Sequence, residues 1–177
     1  LIMNLKKFIR SVPNYPKKGI LFRDITTLIK DPAAFVFSIN KIVEISKKLN
    51  FDKISAIESR GFIFASAVSF LIKKPLILLR KKDKLPAPRH SVDFELEYGN
   101  ATIEVHKDSI SSGENILVID DLIATGGTAE AAAKLIEMSG GKVAGFIFII
   151  NLFDLPGNNL LKKKNYFTES LIEFPGH

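Results

Sequence analysis

The sequence predicts an α/β fold with a mostly parallel central sheet flanked by helices, and three observations support that prediction. Short apolar runs alternate with helical patterns along the chain, which is the arrangement that gives parallel sheets. Residues 116–119 form a continuous aliphatic run, as expected of a strand that is covered on both faces. Acidic and basic residues follow such runs, at the strand ends where α/β proteins bind ligands.

Length and composition predict one domain over residues 1–177. The chain is 46% hydrophobic and 10% aromatic, which suits a globular protein with a substantial core. Its net charge of +6 suits a polyanionic small molecule and also permits nucleic acid. The lysines are scattered along the chain, which is typical of solvated surface, so we expect no nucleic-acid partner.

The sequence contains no cysteine. This excludes disulfides, thiolate nucleophiles and Cys-based metal sites, and it is compatible with a cytoplasmic location. We see neither an apolar leader nor a run long enough to span a bilayer, so we expect a cytoplasmic protein with no membrane partner.

The first fifty residues predict two helices and a loop. Residues 4–12 place apolar side chains on one helical face, and Pro13 ends that pattern. Residues 17–26 show no period and are expected to form an extended loop. Asp31 and Pro32 form an N-cap and first-turn pair, which begins a second helix.

The middle and end of the chain predict further strands and helices in alternation. The apolar runs at residues 54–57, 75–79 and 142–150 are expected to be strands. A helix is expected over residues 62–72, and the pair Gly140-Gly141 should end the helix that follows the central strand.

A hairpin is predicted between the second and third of these strands. Residues 94–105 alternate in polarity on both sides of Tyr98-Gly99-Asn100, which is a hairpin pattern. The preceding residues 86–93 contain two prolines and show no period, so we expect them to be mobile.

The loop after the central strand has the properties of a phosphate site. Ala124, Thr125, Gly126, Gly127 and Thr128 lie between the strand and a strong helix former. Unpaired N–H groups at a helix N-terminus attract anions, and glycines allow the backbone to close around them. The loop has neither the Gly-Lys-Ser/Thr ending of a P-loop nor the G-x-G-x-x-G of a dinucleotide site.

Two acids, Asp120 and Asp121, directly precede this loop. Carboxylates beside a phosphate should face neutral or cationic groups, and sugar hydroxyls or a metal-bound ligand both fit. The pattern therefore suggests a ribose 5-phosphate. An acidic strand end followed by a simple glycine turn is the alternative.

Four other features are ambiguous on the residues alone. Phe22 fits plain packing better than base stacking, and Arg60 fits a surface position at least as well as a ligand contact. The basic run that begins at Arg80 fits a solvated loop as well as a phosphate clamp. The alternating acids around Glu97 fit a solvent-exposed strand face.

Residues 118–128 resemble the phosphoribosyl-pyrophosphate (PRPP) motif of type I phosphoribosyltransferases, and the form Asp-Asp-Leu-Ile-Ala-Thr-Gly-Gly-Thr resembles the adenine branch of that family. The resemblance extends over nearly the whole chain. Further matches lie at residues 19–24, 59–61, 80–86, 96–99, 151–155 and 174–177. One departure is Glu58, where the family usually has Asp.

The resemblance implies the type I phosphoribosyltransferase fold, with a small hairpin hood over residues 81–107. It implies transfer of the phosphoribosyl group of PRPP to adenine, which gives AMP and pyrophosphate. The alternatives are transfer to hypoxanthine/guanine, xanthine or orotate, and a PRPP-binding transcriptional regulator. It also implies Mg²⁺, held mainly by PRPP and through water by Asp120 and Asp121, and a homodimer.

The resemblance also implies a role for each candidate residue. Asp120, Asp121, Ala124, Thr125, Gly126, Gly127 and Thr128 would bind the ribose 5-phosphate part of PRPP or AMP. Arg60, Arg80, Lys81 and Lys84 would bind pyrophosphate, and Leu21, Phe22 and Arg23 would bind adenine. Glu97 would act as acid/base toward the purine, with Tyr98 as part of the lid.

Overall fold

The computed structural model describes residues 2–96 and 98–177. It contains nine strands: β1 (Arg10–Pro13), β2 (Leu21–Asp24), β3 (Lys53–Ile57), β4 (Leu76–Lys81), β5 (Arg89–Leu96), β6 (Gly99–His106), β7 (Asn115–Ile123), β8 (Lys142–Leu152) and β9 (Thr168–Phe174) in the part of the chain described. The helices there are α1 (Thr26–Lys30), α2 (Pro32–Ser46), α3 (Arg60–Ile72), α4 (Gly127–Met138) and α5 (Gly157–Lys163), and a 3₁₀ turn spans Leu5–Phe8.

The central sheet has seven strands in the order β5-β6-β4-β3-β7-β8-β9. Strands β4, β3, β7, β8 and β9 are neighbours in this order and run parallel to one another. Strand β6 runs antiparallel to β4, and β5 runs antiparallel to β6. The predicted α/β fold with a mostly parallel sheet and a small hairpin is therefore confirmed, and the hairpin continues the edge of the main sheet.

The sheet is packed on both faces, as the aliphatic run in β7 predicts. Leu117 and Ile119 belong to the apolar cluster shared with α2 and α3. Ile116 and Val118 belong to the opposite cluster, which includes α4. All four side chains have no exposed surface, so β7 lies at the centre of the fold.

Two predicted helix boundaries are confirmed by their capping contacts. The Asp31 side chain accepts a hydrogen bond from the N–H of Ala34 at 2.9 Å, and Pro32 is the first residue of α2. Gly140 has a φ of +88° just beyond α4, and the Gly141 N–H donates to the carbonyl of Ile136 at 3.0 Å.

The prediction of a helix over residues 4–12 is wrong. Only the 3₁₀ turn forms, and β1 then pairs with β2 in an antiparallel two-stranded sheet, in which Val12 lies opposite Phe22. The loop predicted over residues 17–26 is likewise replaced in part by β2 and the start of α1. Long-range strand pairing has overridden a short helical pattern that carried only a few apolar residues.

The prediction of a mobile segment over residues 86–93 is wrong from Arg89 onward. Arg89 lies opposite His106, and the pairing of β5 with β6 continues without interruption to Leu96 opposite Gly99. The prolines lie before the strand begins, where they remove no ladder hydrogen bond.

The position of the two acids in the central strand also differs from the prediction. Asp120 and Asp121 lie within β7 and not after its end.

Candidate functional site

A cavity of about 310 Å³ lies at the C-terminal ends of β3 and β7. Ligands of α/β proteins collect at this edge of the sheet. The cavity brings together Arg60, Lys81, Asp120, Asp121 and the predicted phosphate loop, residues 124–128. Its other lining residues are Ile57, Glu58, Ser59, Leu122, Ile123, Ala129 and Phe148.

The phosphate loop has the geometry that its sequence predicts. Gly126 has a φ of +94°, a conformation that side chains other than glycine rarely adopt. Helix α4 begins at Gly127, and the N–H of Glu130 donates to the carbonyl of Gly126 at 2.9 Å. The backbone N–H groups of the first turn of α4 thus border the cavity, with the positive end of the helix dipole behind them.

Gly157, which the sequence reasoning missed, supports this loop from outside. Its N–H donates to the carbonyl of Ala124 at 2.9 Å. A Cβ on Gly157 would lie 2.6 Å from that carbonyl oxygen, and a Cβ on Gly126 would lie 2.9 Å from the Cα of Gly157. The Pro156-Gly157 pair at the start of α5 was the available signal, because such a pair marks a turn with close backbone approach.

Asp121 forms an ion pair with Arg60. The Nε of Arg60 donates to Oδ2 of Asp121 at 2.5 Å, and the Asp121 side chain is only 10% exposed. Burial of the Arg60 guanidinium favours its neutral form, but the charge and hydrogen bond of Asp121, together with the charges of Asp120 and Asp24, outweigh that effect and raise the pKa of Arg60. Arg60 is the first residue of α3, so the pair joins the ends of β7 and α3.

Asp120 differs in its environment from Asp121. Burial raises the pKa of Asp120 well above its usual range, and the charge of Asp121 adds to that effect. Oδ1 of Asp120 accepts the N–H of Asp121 at 2.9 Å. A Cβ on Gly61 would lie 2.8 Å from the same oxygen, so the glycine allows α3 to approach the acid pair.

The four basic residues predicted to bind pyrophosphate are only partly brought together. Arg60 and Lys81 line the cavity, whereas Arg80 and Lys84 do not. Arg80 faces Glu58, with its Nη2 3.4 Å from Oε1, and its Nη1 is 3.4 Å from the carbonyl of Lys84. Lys84 itself is exposed on the loop that follows β4.

Glu58 connects the ends of β3 and β4. Its Oε2 accepts the N–H of Lys81 at 2.9 Å. This hydrogen bond, with the nearby Arg80 and Lys81 charges, lowers the pKa of Glu58 against the opposing effect of burial. Glu58 was noted in the sequence only as a departure from the family pattern, and the structure gives it a contact with the clamp residues.

The predicted adenine residues Leu21, Phe22 and Arg23 lie on β2. The Phe22 ring has Tyr15 at its edge, with ring centroids 5.2 Å apart, and it lies 5.8 Å from the guanidinium carbon of Arg60. Phe22 therefore lies near the cation that pairs with Asp121, but none of the three predicted adenine residues lines the cavity. The Arg23 side chain instead donates to the carbonyl of Pro175 at 2.9 Å and lies over the Phe174 ring.

The hairpin formed by β5 and β6 approaches both parts of the site. The ring of Tyr98, the predicted lid residue, lies 4.4 Å from Nζ of Lys17, in the segment between β1 and β2. On the other side, a Cβ on Gly127 would lie 2.9 Å from the carbonyl oxygen of Glu95. Glu97, the predicted acid/base residue, lies outside the described residues.

The described residues contain neither a cluster of metal ligands nor a membrane-spanning helix. Within residues 2–96 and 98–177, no three His, Cys, Asp or Glu side chains are grouped so that they could hold a metal ion. No helix in that part of the chain is both long enough and apolar enough to cross a membrane.

An acid pair, a glycine loop at a helix N-terminus and the cations Arg60 and Lys81 meet at one cavity, an arrangement that suits a phosphorylated sugar. The family model of the phosphoribosyl transferase domain matches residues 27–175, and the chain therefore belongs to that family. Its relatives include the adenine phosphoribosyltransferase of Pelagibacter ubique, which is 70% identical over 99% of this chain and 100% of its own length.

Solved structures agree in fold over the same extent. The adenine phosphoribosyltransferase of Thermoanaerobacter pseudethanolicus is 42% identical, with a TM-score of 0.91 over 96% of this chain and 98% of its own. The enzyme of Saccharomyces cerevisiae, solved with adenine and the imino-altritol bisphosphate D-DIAB, is 32% identical, with a TM-score of 0.86 over 95% and 96% of the two chains.

Proposed function

We propose that this chain is the purine-salvage enzyme that transfers the 5-phosphoribosyl group of PRPP to adenine, giving AMP and pyrophosphate. The observation that carries the proposal is the single cavity that joins the acid pair of β7 to the phosphate loop. The choice of adenine as the acceptor base is supported by the relative that is 70% identical over its full length.

The phosphate loop anchors the end of the substrate that does not react. Backbone N–H groups of residues 125–128 and the hydroxyls of Thr125 and Thr128 bind the 5-phosphate. Asp120 and Asp121 accept hydrogen bonds from the ribose hydroxyls. Binding energy from these contacts fixes the ribose carbon that will react, so orientation is achieved at a distance from the chemistry.

The reaction breaks the bond between the ribose carbon and pyrophosphate while positive charge develops on the ribose. In this proposal the negative charge of the acid pair stabilises that development. Arg60 and Lys81 in the cavity bind the departing pyrophosphate, and Arg80 and Lys84 contribute charge from the β4 end.

Mg²⁺ fits this site as part of the substrate. Asp120 and Asp121 supply the oxygen ligands that Mg²⁺ prefers, but two carboxylates do not make a complete protein site. We propose that PRPP carries most of the ligands and that the acid pair meets the ion through water. When bound, Mg²⁺ would neutralise charge on pyrophosphate as it leaves.

The base is proposed to stack on Phe22 while backbone groups of Leu21 and Arg23 read its edge. The Arg23 guanidinium is engaged at the C-terminal segment, so its main-chain groups are the ones available. The hairpin excludes water from the reacting carbon. Glu97, with Tyr98 beside it, accepts the purine proton in this proposal, and a Glu97→Gln variant that keeps wild-type turnover would contradict that role.

The proposal also covers the domain organisation, location, oligomeric state and partners of the chain. Residues 1–177 act as one phosphoribosyltransferase domain, in the cytoplasm. The active form is a homodimer, without a nucleic-acid partner. Sedimentation at working concentration tests the dimer, and a monomer there would contradict it.

The decisive experiment measures pyrophosphate release from PRPP and Mg²⁺ with adenine, hypoxanthine, guanine, xanthine and orotate in turn. Release with adenine alone, accompanied by AMP, is the expected result. Release with a different base only would retain the phosphate and ribose assignments and overturn the role of Phe22. Saturable PRPP binding without release would favour a regulatory protein.

A further inference from the structure

Glu104 is a buried carboxylate outside the cavity, and the proposed mechanism does not use it. It lies on β6 with 3% of its surface exposed. Three donors reach it: the N–H of Asp83 at 2.7 Å, Nε of Arg89 at 3.0 Å and the hydroxyl of Ser91. Burial alone would raise the pKa of Glu104, but these hydrogen bonds and the Arg89 charge lower it. The group is thus held as a carboxylate.

All three donors come from one stretch of chain, the basic loop between β4 and β5 (residues 82–88) and the first residues of β5. Asp83 has a φ of +64°, which is uncommon for a residue with a side chain and needs support from its surroundings. The hydrogen bond from its N–H to Glu104 provides that support. Glu104 therefore fixes the turn that leads from Lys81 to Lys84.

Other contacts hold the rest of the basic loop to the same hairpin. Arg89 donates from Nη1 to the carbonyl of Leu85 at 3.3 Å and forms an ion pair with Asp83 at 3.2 Å. The N–H of Ala87 donates to Nε2 of His106 at 3.2 Å. The loop thus depends on side chains of β5 and β6 for its shape, with Arg89 as the link between Glu104 and the loop carbonyl.

The position of Glu104 in the sheet places it beside the predicted clamp. In the pairing of β4 with β6, Glu104 lies opposite Arg80 and Ile103 lies opposite Lys81. A change at Glu104 acts first on the loop between Lys81 and Lys84, which its hydrogen-bond donors adjoin. The phosphate loop meets the same hairpin at Glu95, toward the other end of β5 from Arg89, so the effect on that loop should be smaller.

We propose that Glu104 is a positioning residue for pyrophosphate: it holds the basic loop so that the charge of Lys84 stays close to Lys81, which lines the cavity. The proposal rests on the proposed function for the identity of that ligand. Preorganised cations bind an anion without the cost of ordering their loop. A loop released from Glu104 still carries its charge, but it must be ordered when pyrophosphate binds.

The test compares binding of Mg²⁺-pyrophosphate with binding of AMP, measured by titration calorimetry on the full chain. Glu104→Gln keeps the size of the side chain but removes the charge that holds Arg89. We expect pyrophosphate affinity to fall about tenfold, equivalent to about 1.4 kcal/mol, with AMP affinity within about twofold of wild type. In turnover, KM for PRPP should rise while KM for adenine is unchanged.

Asp93→Asn is the matched control. Asp93 is an exposed carboxylate on the same hairpin, and it accepts a hydrogen bond from the Thr102 hydroxyl at 2.6 Å. This variant should leave both affinities unchanged. A general loss of stability in the hairpin would instead lower both affinities in the two variants.

Arg89→Lys provides a second route if Glu104→Gln does not fold. The variant keeps a positive charge near Glu104 but loses the guanidinium group that also reaches the carbonyl of Leu85. It should therefore also weaken the binding of pyrophosphate and leave the binding of AMP unchanged. Wild-type pyrophosphate affinity in either folded variant, or an equal loss for AMP, would overturn the proposal. A selective loss in a protein that does not convert adenine would uphold Glu104 and refute the proposed function.

Discussion

Asp120→Asn is a substitution whose effects on stability and on activity should have opposite signs. Burial and the charge of Asp121 raise the pKa of Asp120, so the ionised group costs folding free energy at neutral pH. Asn has the same shape, and its carbonyl oxygen still accepts the N–H of Asp121, a contact of 2.9 Å in the wild type. The variant should unfold at a higher temperature and lose most of its turnover.

The variant should gain about 1 kcal/mol in free energy of unfolding, because it removes one unfavourable charge from a partly solvated cavity. For a chain of 177 residues, 1 kcal/mol corresponds to a shift of about 2–4 °C in Tm. A carboxyl whose pKa is raised by folding destabilises the protein above that pKa, and the penalty disappears as the pH falls toward its ordinary value. The advantage of the variant should therefore shrink from pH 8 to pH 5.

Asp121→Asn is the control with the opposite expected sign. It removes a charge-assisted hydrogen bond to Arg60, whose side chain is 52% exposed, and after screening by solvent we expect a loss of about 1 kcal/mol. Calorimetric unfolding of both variants at the two pH values, with AMP formation measured in parallel, makes the comparison. If Asp120→Asn lowers Tm at pH 8 as Asp121→Asn does, the reasoning about Asp120 is wrong.

Three other substitutions test separate parts of the molecule. Gly126→Ala places a side chain at a φ of +94°, with a backbone carbon 2.9 Å from the new Cβ. It should lower the free energy of unfolding by about 1–3 kcal/mol and weaken AMP binding in a calorimetric titration, and unchanged AMP affinity would contradict this. The pKa of Asp24 is about 2, chiefly because Thr26 and then Arg10 hydrogen-bond its carboxylate. Urea unfolding should therefore show wild-type stability falling as the pH drops from about 4. The decline should be shallower in Asp24→Asn, and an equal decline in both proteins would contradict the role of Asp24. Lys17→Met removes the cation that lies 4.4 Å from the Tyr98 ring, an interaction worth about 0.5–1 kcal/mol. KM for adenine should therefore rise a few-fold in this variant and stay unchanged in the control, Lys18→Met. The same KM in both variants would argue against a role for this contact.

The parts of the site that follow one another in sequence were predictable. A strand, two acids, a glycine loop and a helix start are local features, and the structure places residues 120–128 around one cavity. The positive φ of Gly126 follows from the need of the backbone to turn into α4. The hairpin about Gly99 was predictable for the same reason, since its alternation and its turn lie within a dozen residues.

What the sequence concealed depends on contacts between distant segments. Strand β1 exists because residues 21–24 pair with it, and no pattern within residues 4–12 shows that. Glu104 alternates with apolar neighbours as a solvent-facing acid would, yet it is buried because Arg89 and Ser91 stand on the adjacent strand. The helix prediction for residues 4–12 failed because the strand that pairs with β1 lies outside that segment. A solvent-exposed face holds for Glu95 but not for Glu104, because the burial of Glu104 depends on the residues of β5 that lie beside it.

Close backbone contacts on both sides of the phosphate loop imply that the loop becomes ordered when the chain folds and not when a ligand binds. Gly127 approaches the carbonyl of Glu95 on one side, and Gly126 approaches Gly157 on the other. Confined in this way, the loop loses its conformational freedom when the chain folds and has little left to lose when a substrate arrives. For the proposed 5-phosphate site, recognition should therefore be closer to lock-and-key than to induced fit, with selectivity against anions of other shapes built into the main chain.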